Sequence, residues 1–355
     1  MTATTRFAMF AALLGVIAAA SPAPDRVTDR DVYEATASRI VVPDCGDLQC
    51  FRVLVPWILG RLGGPSMLRW KAYAVICNAA AGVAVFACAM AFGLSRRAAS
   101  MASIASTFGF GSLYTLHDPY TSDPLMYLLG PVITHEALAG RLAIGAAAGA
   151  LGVMAKEFAG APLYMVAGYQ AIERRWRETL RTLSAANVPF LVWVVFTLTL
   201  MLRFNYTYSG SASTDLAGGG NLVGWLSRQS PRGIASAMFI EFSAFWLLTP
   251  IGLLLAPPML RRLFLVSLPV AALFGYVQQP DRALWNVHYL AIPVGAAVLD
   301  AAPAALAAAT IAAFVVANLR VGAQLPLAAA GRMALAASMV LAAASAWTAL
   351  RAARS

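Results

Sequence analysis

The sequence predicts an all-α fold, a polytopic transmembrane bundle of about twelve helices. Three observations carry this. Of the 355 residues, 60% are hydrophobic and only 12% are charged, with a mean hydropathy of +0.70. A water-soluble domain is about 45–50% apolar and about 25% charged, so lipid is the solvent for most of this chain. The apolar residues fall in runs that approach the roughly 20 residues a span requires. Within runs such as Leu142–Met154 and Ala304–Ala317, polar and apolar residues do not alternate as they do along barrel strands. Hydrocarbon forces the backbone to satisfy its own hydrogen bonds, which leaves helices or closed barrels. The pattern selects helices.

Taken in order, residues 7–20 follow Arg6 as an apolar run and stop before Ser21-Pro22-Ala23-Pro24. They read either as the first transmembrane helix or as a signal peptide with Ala18-Ala19-Ala20 as its cleavage site. Both readings put residue 25 onward outside the cytoplasm. Residues 21–66 form an external acidic loop holding Asp25, Asp29, Asp31, Glu34, Asp44 and Asp47. Residues 30–40 are expected as a short interfacial helix, and Phe51–Leu62 as a second, with Trp57 at headgroup depth. Cys45 and Cys50 either bridge in an oxidising compartment or stay as two thiols. Cys77 and Cys88 sit in an apolar run and read as small packing residues.

A multi-helix core over 67–300 follows, with segments at 68–93, 98–115, from Pro124, 141–155, 158–172, 187–202, 234–256, 263–277 and 287–300. Asp123 reads as the N-cap of the segment that Pro124 opens, and Pro257-Pro258 closes the one before 263. A C-terminal hairpin over 301–355 contains helices at 303–318 and 333–350. The loop 203–233 is rich in glycine and serine, but no Lys-Ser/Thr follows its glycines, so it is not a phosphate loop.

The formal net charge is +10. Many basic residues flank apolar segments, which suits anionic headgroups of a lipid bilayer and excludes nucleic acid as the natural partner. With the N-terminus inside, the cytoplasmic turns hold Arg96-Arg97, Arg141, Arg174, Arg175, Arg177, Arg181, Arg261-Arg262 and the tail residues Arg351 and Arg354. The 116–122 turn has no Lys or Arg and faces out.

Under this topology four polar clusters reach the external face. In the first, Asp29, Tyr33 and Ala37 are four apart and share a helical face, and Asp29 or Asp31 is the candidate general base. Close to it in the chain, Arg52 precedes Trp57 and reads as a phosphate contact or as a snorkelling arginine. The second cluster is His117, Asp118 and Asp123 in one polar turn. The third is Lys156-Glu157, ionisable residues between apolar runs. The fourth is Arg282, Trp285 and His288, with Arg282 a phosphate contact and Trp285 a sugar or lipid contact. Three histidines in the whole chain make a histidine-rich metal centre a poor expectation.

The order Asp29-x-Asp31-x-Tyr33, Arg52-Val-Leu-x-Pro56, Thr121-Ser-Asp123-Pro-Leu and Lys156-Glu157 resembles bacterial GT-C fold glycosyltransferases. That superfamily includes protein O-mannosyltransferases and aminoarabinose transferases. The resemblance spans about residues 7–300 and implies a transferase using a polyprenyl-phosphate-linked sugar at the inner membrane, its site facing the periplasm. It implies inversion at the sugar carbon with Asp29, by position, as base. A divalent cation assisting departure of the phosphate stays open as a cofactor, since no residue pattern forms a metal-ligand set. The mannosyltransferase Asp-Glu pair and the Trp-Trp-Asp signature of oligosaccharyltransferases are absent, which leaves the acceptor open. The rival expectations are a transporter or lipid flippase, which predicts repeated halves and interrupted helices, and a non-enzymatic membrane subunit.

Overall fold

A computed structural model describes residues 1–22, 24, 29–207, 222–277 and 284–353. All regular structure among them is helical. Helix α1 (Ala3–Ala20) leads into α2 (Arg30–Arg39), a 3-10 turn (Leu48–Phe51) and α3 (Leu54–Gly60). Then come α4 (Ser66–Ala91), α5 (Arg96–Thr107), α6 (Phe110–His117), α7 (Asp123–Leu138), α8 (Leu142–Gly152), α9 (Ala161–Ile172) and α10 (Trp176–Phe204). The second half holds α11 (Leu222–Arg228), α12 (Pro231–Phe242), α13 (Ala244–Leu255), α14 (Pro258–Val277), a 3-10 turn (Leu284–Val287), α15 (His288–Ala301), α16 (Ala304–Val321) and α17 (Ala328–Ala352).

Six of these helices, α1, α4, α10, α14, α16 and α17, are long and apolar enough to cross a membrane. Counting the bent pair α12–α13 as one span gives seven, against the expectation of about twelve. This is the composition and architecture of a multi-pass membrane protein. The difference in number has physical causes. Expected segment 98–115 is broken at Phe108-Gly109, where the Trp285 indole fills the gap. A Cβ on Gly109 would lie 2.1 Å from Trp285 Cη2, and one on Gly111 would lie 2.3 Å from its Cγ. Segment 234–256 turns by 101° at Ser243, whose φ of 47° and ψ of −126° end the helix. Segment 287–300 is buried from His288 to Leu299, so α15 is a core helix within the protein rather than a lipid-facing one. Segment 187–202 is longer than its apolar run, because the Arg-rich stretch from Trp176 continues the same helix.

The main apolar core surrounds α15, packed between α5 and α13 and continued by residues of α4, α7, α9 and α14. Helix α1 lies along α4, with Phe10 seated against Gly82, where a Cβ would meet the Phe10 ring at 3.0 Å. The two ends of the bundle differ. At one, Lys71 Nζ donates to the carbonyls of Ala18 (2.7 Å) and Ser21 (3.1 Å), and His117 Nδ1 donates to Pro22 O at 3.0 Å. The segment between α1 and α4 folds back over this end. At the other, Arg97 donates to the carbonyls of Leu299, Asp300 and Ala302, Arg262 pairs with Glu173, and Arg141 pairs with Glu136.

Candidate active site

The loop between α1 and α4 is built to hold a rigid shape. A disulfide joins Cys45 and Cys50. The end of α10 docks on it: Val42 N donates to Tyr206 Oη at 2.8 Å, Asp44 N to Phe204 O at 3.0 Å, and Thr207 N to Cys45 O at 3.0 Å. Helix α2 is supported by Arg30–Glu34 at 3.0 Å, an i,i+4 pair, with Asp31 in its first turn and Arg39 in its last. It sits on α3 so closely that a Cβ on Gly60 would lie 2.3 Å from Ala37 O. Tyr33 is thereby driven inward against Trp70, ring centroids 5.3 Å apart, and Trp70 meets Tyr120 at 5.4 Å.

Beneath this aromatic layer are two buried ion pairs. Arg52 is carried by the segment after the 3-10 turn, which Leu54 N pins to Met154 O at 3.0 Å. Its guanidinium grips Glu157 with two bonds, Nη2 to Oε1 at 2.9 Å and Nε to Oε2 at 3.3 Å. Lys156, the next residue back, pairs with Asp123, both nearly fully buried. The Tyr33 hydroxyl lies against Arg52 and Ser122, within the field of Asp29.

The electrostatics follow from these contacts. Burial alone would deprotonate Arg52 more easily, but the charge and hydrogen bonds of Glu157 hold its pKa above the ordinary value. Burial pushes the Glu157 carboxyl up, and the Arg52 charge, its hydrogen bonds and Lys156 bring it net below. Tyr33 is raised, mainly by burial and further by the Asp29 charge, against the opposing pull of Arg52. At neutral pH the pair is ionised and Tyr33 is a neutral phenol.

A cavity of about 660 Å³ opens from this cluster between α9, α10 and α14, its walls including Val153, Phe158, Tyr164, Phe190, Trp193 and Leu273. Among the described residues lining it, Glu157 alone is a carboxylate or a cation. It is therefore an oily cavity with one charged side chain in its wall.

Asp29, Tyr33, Arg52, Asp123, Lys156 and Glu157 thus come together from three of the four clusters. Asp29 is half-buried at the N-cap position of α2, makes no capping bond, and accepts from Gln49 Nε2 at 3.1 Å. Asp31 is exposed on the outer side of α2. Asp123 is not the N-cap that was expected: Ser122 holds that position, and the Asp123 carboxylate is used by Lys156 instead. His117 is taken by Pro22, and Asp118 caps the end of α6, its amide on Tyr114 O at 2.8 Å. Trp285 and His288 lie in the core, stacked at 5.2 Å, with Trp285 also against Phe242 at 5.5 Å. Arg282 lies outside the described residues.

Several residues at the site carry no signal that the motifs picked out. Tyr120 Oη donates to Glu34 Oε1 at 3.3 Å. Tyr73 Oη donates to Ser122 O at 3.1 Å and accepts from Leu125 N at 3.0 Å. Trp70 and Tyr73, three apart near the start of α4, are an aromatic pair on one helical face, a spacing that marks an anchoring patch.

No protein-family model and no curated protein matches the sequence. Among solved structures, a crystal structure of an Archaeoglobus fulgidus oligosaccharyltransferase in the apo form matches with a TM-score of 0.50 and 12% identity, over 96% of this chain and 56% of that one. A second, tethered by a disulfide to an acceptor peptide containing the NVT sequon, has a TM-score of 0.45 and 12% identity, over 96% and 55%. This chain spans little more than half the length of those it matches. The first match shows the fold: a helical architecture shared with that oligosaccharyltransferase, in keeping with the resemblance drawn from the sequence motifs.

Proposed function

We propose that the chain is an inverting membrane glycosyltransferase of the inner membrane. It moves a sugar from a polyprenyl-phosphate-linked donor to a cell-envelope acceptor on the periplasmic face. One observation carries this: Glu157, in the wall of the oily 660 Å³ cavity, is paired with Arg52 and adjoins Lys156, and the Tyr33 hydroxyl beside Arg52 lies in the field of Asp29. The isoprenoid occupies the channel. The donor phosphate lies against Arg52 and Lys156, which share their charge between it and the resident carboxylates.

Asp29 is the base of the pair of candidates. It sits on the inner side of the α2 entry, oriented by Gln49, while Asp31 faces away. In the reaction Asp29 accepts the proton of the acceptor hydroxyl or amide as its heteroatom attacks the anomeric carbon. The bond from that carbon to the phosphate oxygen breaks, and polyprenyl phosphate leaves with the electron pair. The charge that develops on the leaving phosphate is met by the preorganised guanidinium and ammonium. Among the described residues no three His, Cys, Asp or Glu side chains gather to hold a metal ion.

The test is transfer from a polyprenyl-phosphate sugar in proteoliposomes made with envelope extract as acceptor. Label is expected in the acceptor with wild-type protein and lost with Asp29→Asn. Transfer that continues undiminished in an Asp29→Asn, Asp31→Asn double variant overturns the assignment of the base.

A further inference from the structure

The opposite end of the bundle has a feature the transfer reaction does not use. Arg6, on the first turns of α1, is 5% exposed, yet none of the described acidic residues forms an ion pair with it. Its nitrogens reach only the hydroxyls of Ser103 and Ser100, each at 3.5 Å, the outer limit of a hydrogen bond. The Ser103 hydroxyl is itself committed as a donor to Gly82 O at 2.6 Å. One face of the guanidinium is covered by Phe86, 4.0 Å from the ring centroid. Arg96, at the start of α5, adds a second positive charge to its surroundings. The nearest acidic group along α7, Glu136, is already bound by Arg141 and His135.

A buried guanidinium without a counter-ion is costly, and such residues in a membrane protein mark a ligand. A cavity of about 550 Å³ adjoins Arg6, lined by Val83, Phe86, Ala87 and Met90 of α4 and by His135 of α7. One part of its wall is cationic, His135 is polar and most of the rest is apolar. That combination fits an amphiphile with an anionic head, not a free ion, for which the oily wall supplies nothing.

We propose that this cavity binds one anionic phospholipid, with its phosphate on Arg6 and an acyl chain along Val83, Phe86 and Met90. A phosphate would engage the guanidinium fork with two parallel bonds and supply the missing negative charge. The site lies at the end of the bundle away from Asp29 and Glu157, so it is separate from the donor channel. It holds the N-terminal helix to α4 and α7 through a lipid.

Purified full-length protein is delipidated and incubated with phosphatidylglycerol or phosphatidylcholine of matched chains, and lipid retention is read by native mass spectrometry. Wild type retains phosphatidylglycerol about tenfold better, the worth of a hydrogen-bonded charge. Arg6→Gln brings the ratio close to one. Ala87→Phe, which fills the chain path and leaves Arg6 in place, lowers retention of both lipids while preserving the elution profile of a folded protein. Equal retention of the two lipids by wild type, or a preference that survives Arg6→Gln, overturns the proposal. Complete displacement of phosphatidylglycerol by millimolar inorganic phosphate, with no effect of Ala87→Phe, makes this a free-anion site and also overturns it.

Discussion

Arg52 and Glu157 lie 105 residues apart in sequence and meet through two hydrogen bonds, at 2.9 and 3.3 Å, where water barely reaches. The pair joins the early loop to the turn between α8 and α9. Removing one partner leaves the other charge buried and alone. Glu157→Ala is therefore expected to destabilise by about 3–5 kcal/mol, while Arg52→Met with Glu157→Leu costs much less. Thermal unfolding in detergent checks this, and equal losses in the single and double variants would refute it.

The same pair gives a pH dependence. The folded pKa of Glu157 is held below its unfolded value of about 4.3. Its contribution to stability is therefore present above that value and is lost as pH falls through the folded pKa. Wild-type melting temperature should drop in that acid window, and Glu157→Gln should flatten that part of the profile. A profile unchanged by the substitution would count against an ionised pair.

Asp29 and Asp31 separate structure from chemistry. Neither carboxylate supports the fold through more than a single hydrogen bond, so both asparagine variants should melt like wild type. Asp29→Asn is expected to slow transfer by about 10²–10⁴-fold, the usual worth of a positioned base. Asp31→Asn should stay close to wild type. Reversed effects would move the base to Asp31.

The channel makes a prediction about chain length. Ala161 lines it, and Ala161→Phe intrudes on the space proposed for the isoprenoid. The KM for a long polyprenyl donor should rise about tenfold, a change of about 1.4 kcal/mol. That for a short, water-soluble donor analogue should not move. A parallel rise for both would show that the cavity does not hold the lipid tail.

Much of this was legible in the sequence, for identifiable reasons. The short helix at 30–39, the span at 66–91 and the buried Lys156-Glu157 turn follow from charge placement and continuous apolar runs, which local pattern reports well. The broken segments were not legible. Nothing local in 98–115 announces that Trp285, far along the chain, needs room at Gly109 and Gly111. Likewise 287–300 reads as a span, because a helix buried in protein and one buried in lipid are equally apolar. At the site, Asp123 read as a cap because the cap pattern is local, whereas Lys156 lies 33 residues away. Trp285 and Asp31 looked equivalent to their neighbours for the same reason: sequence reports polarity, and only packing decides which side of an element faces the cavity.

The Arg52–Glu157 contact also sets an order of events during synthesis. Arg52 leaves the ribosome long before its counter-charge, so the early loop stays unsettled until the turn between α8 and α9 has been made. A chain arrested between those two points should present a protease-sensitive loop, and one carried past Thr207, where the end of α10 docks on the loop, a protected one.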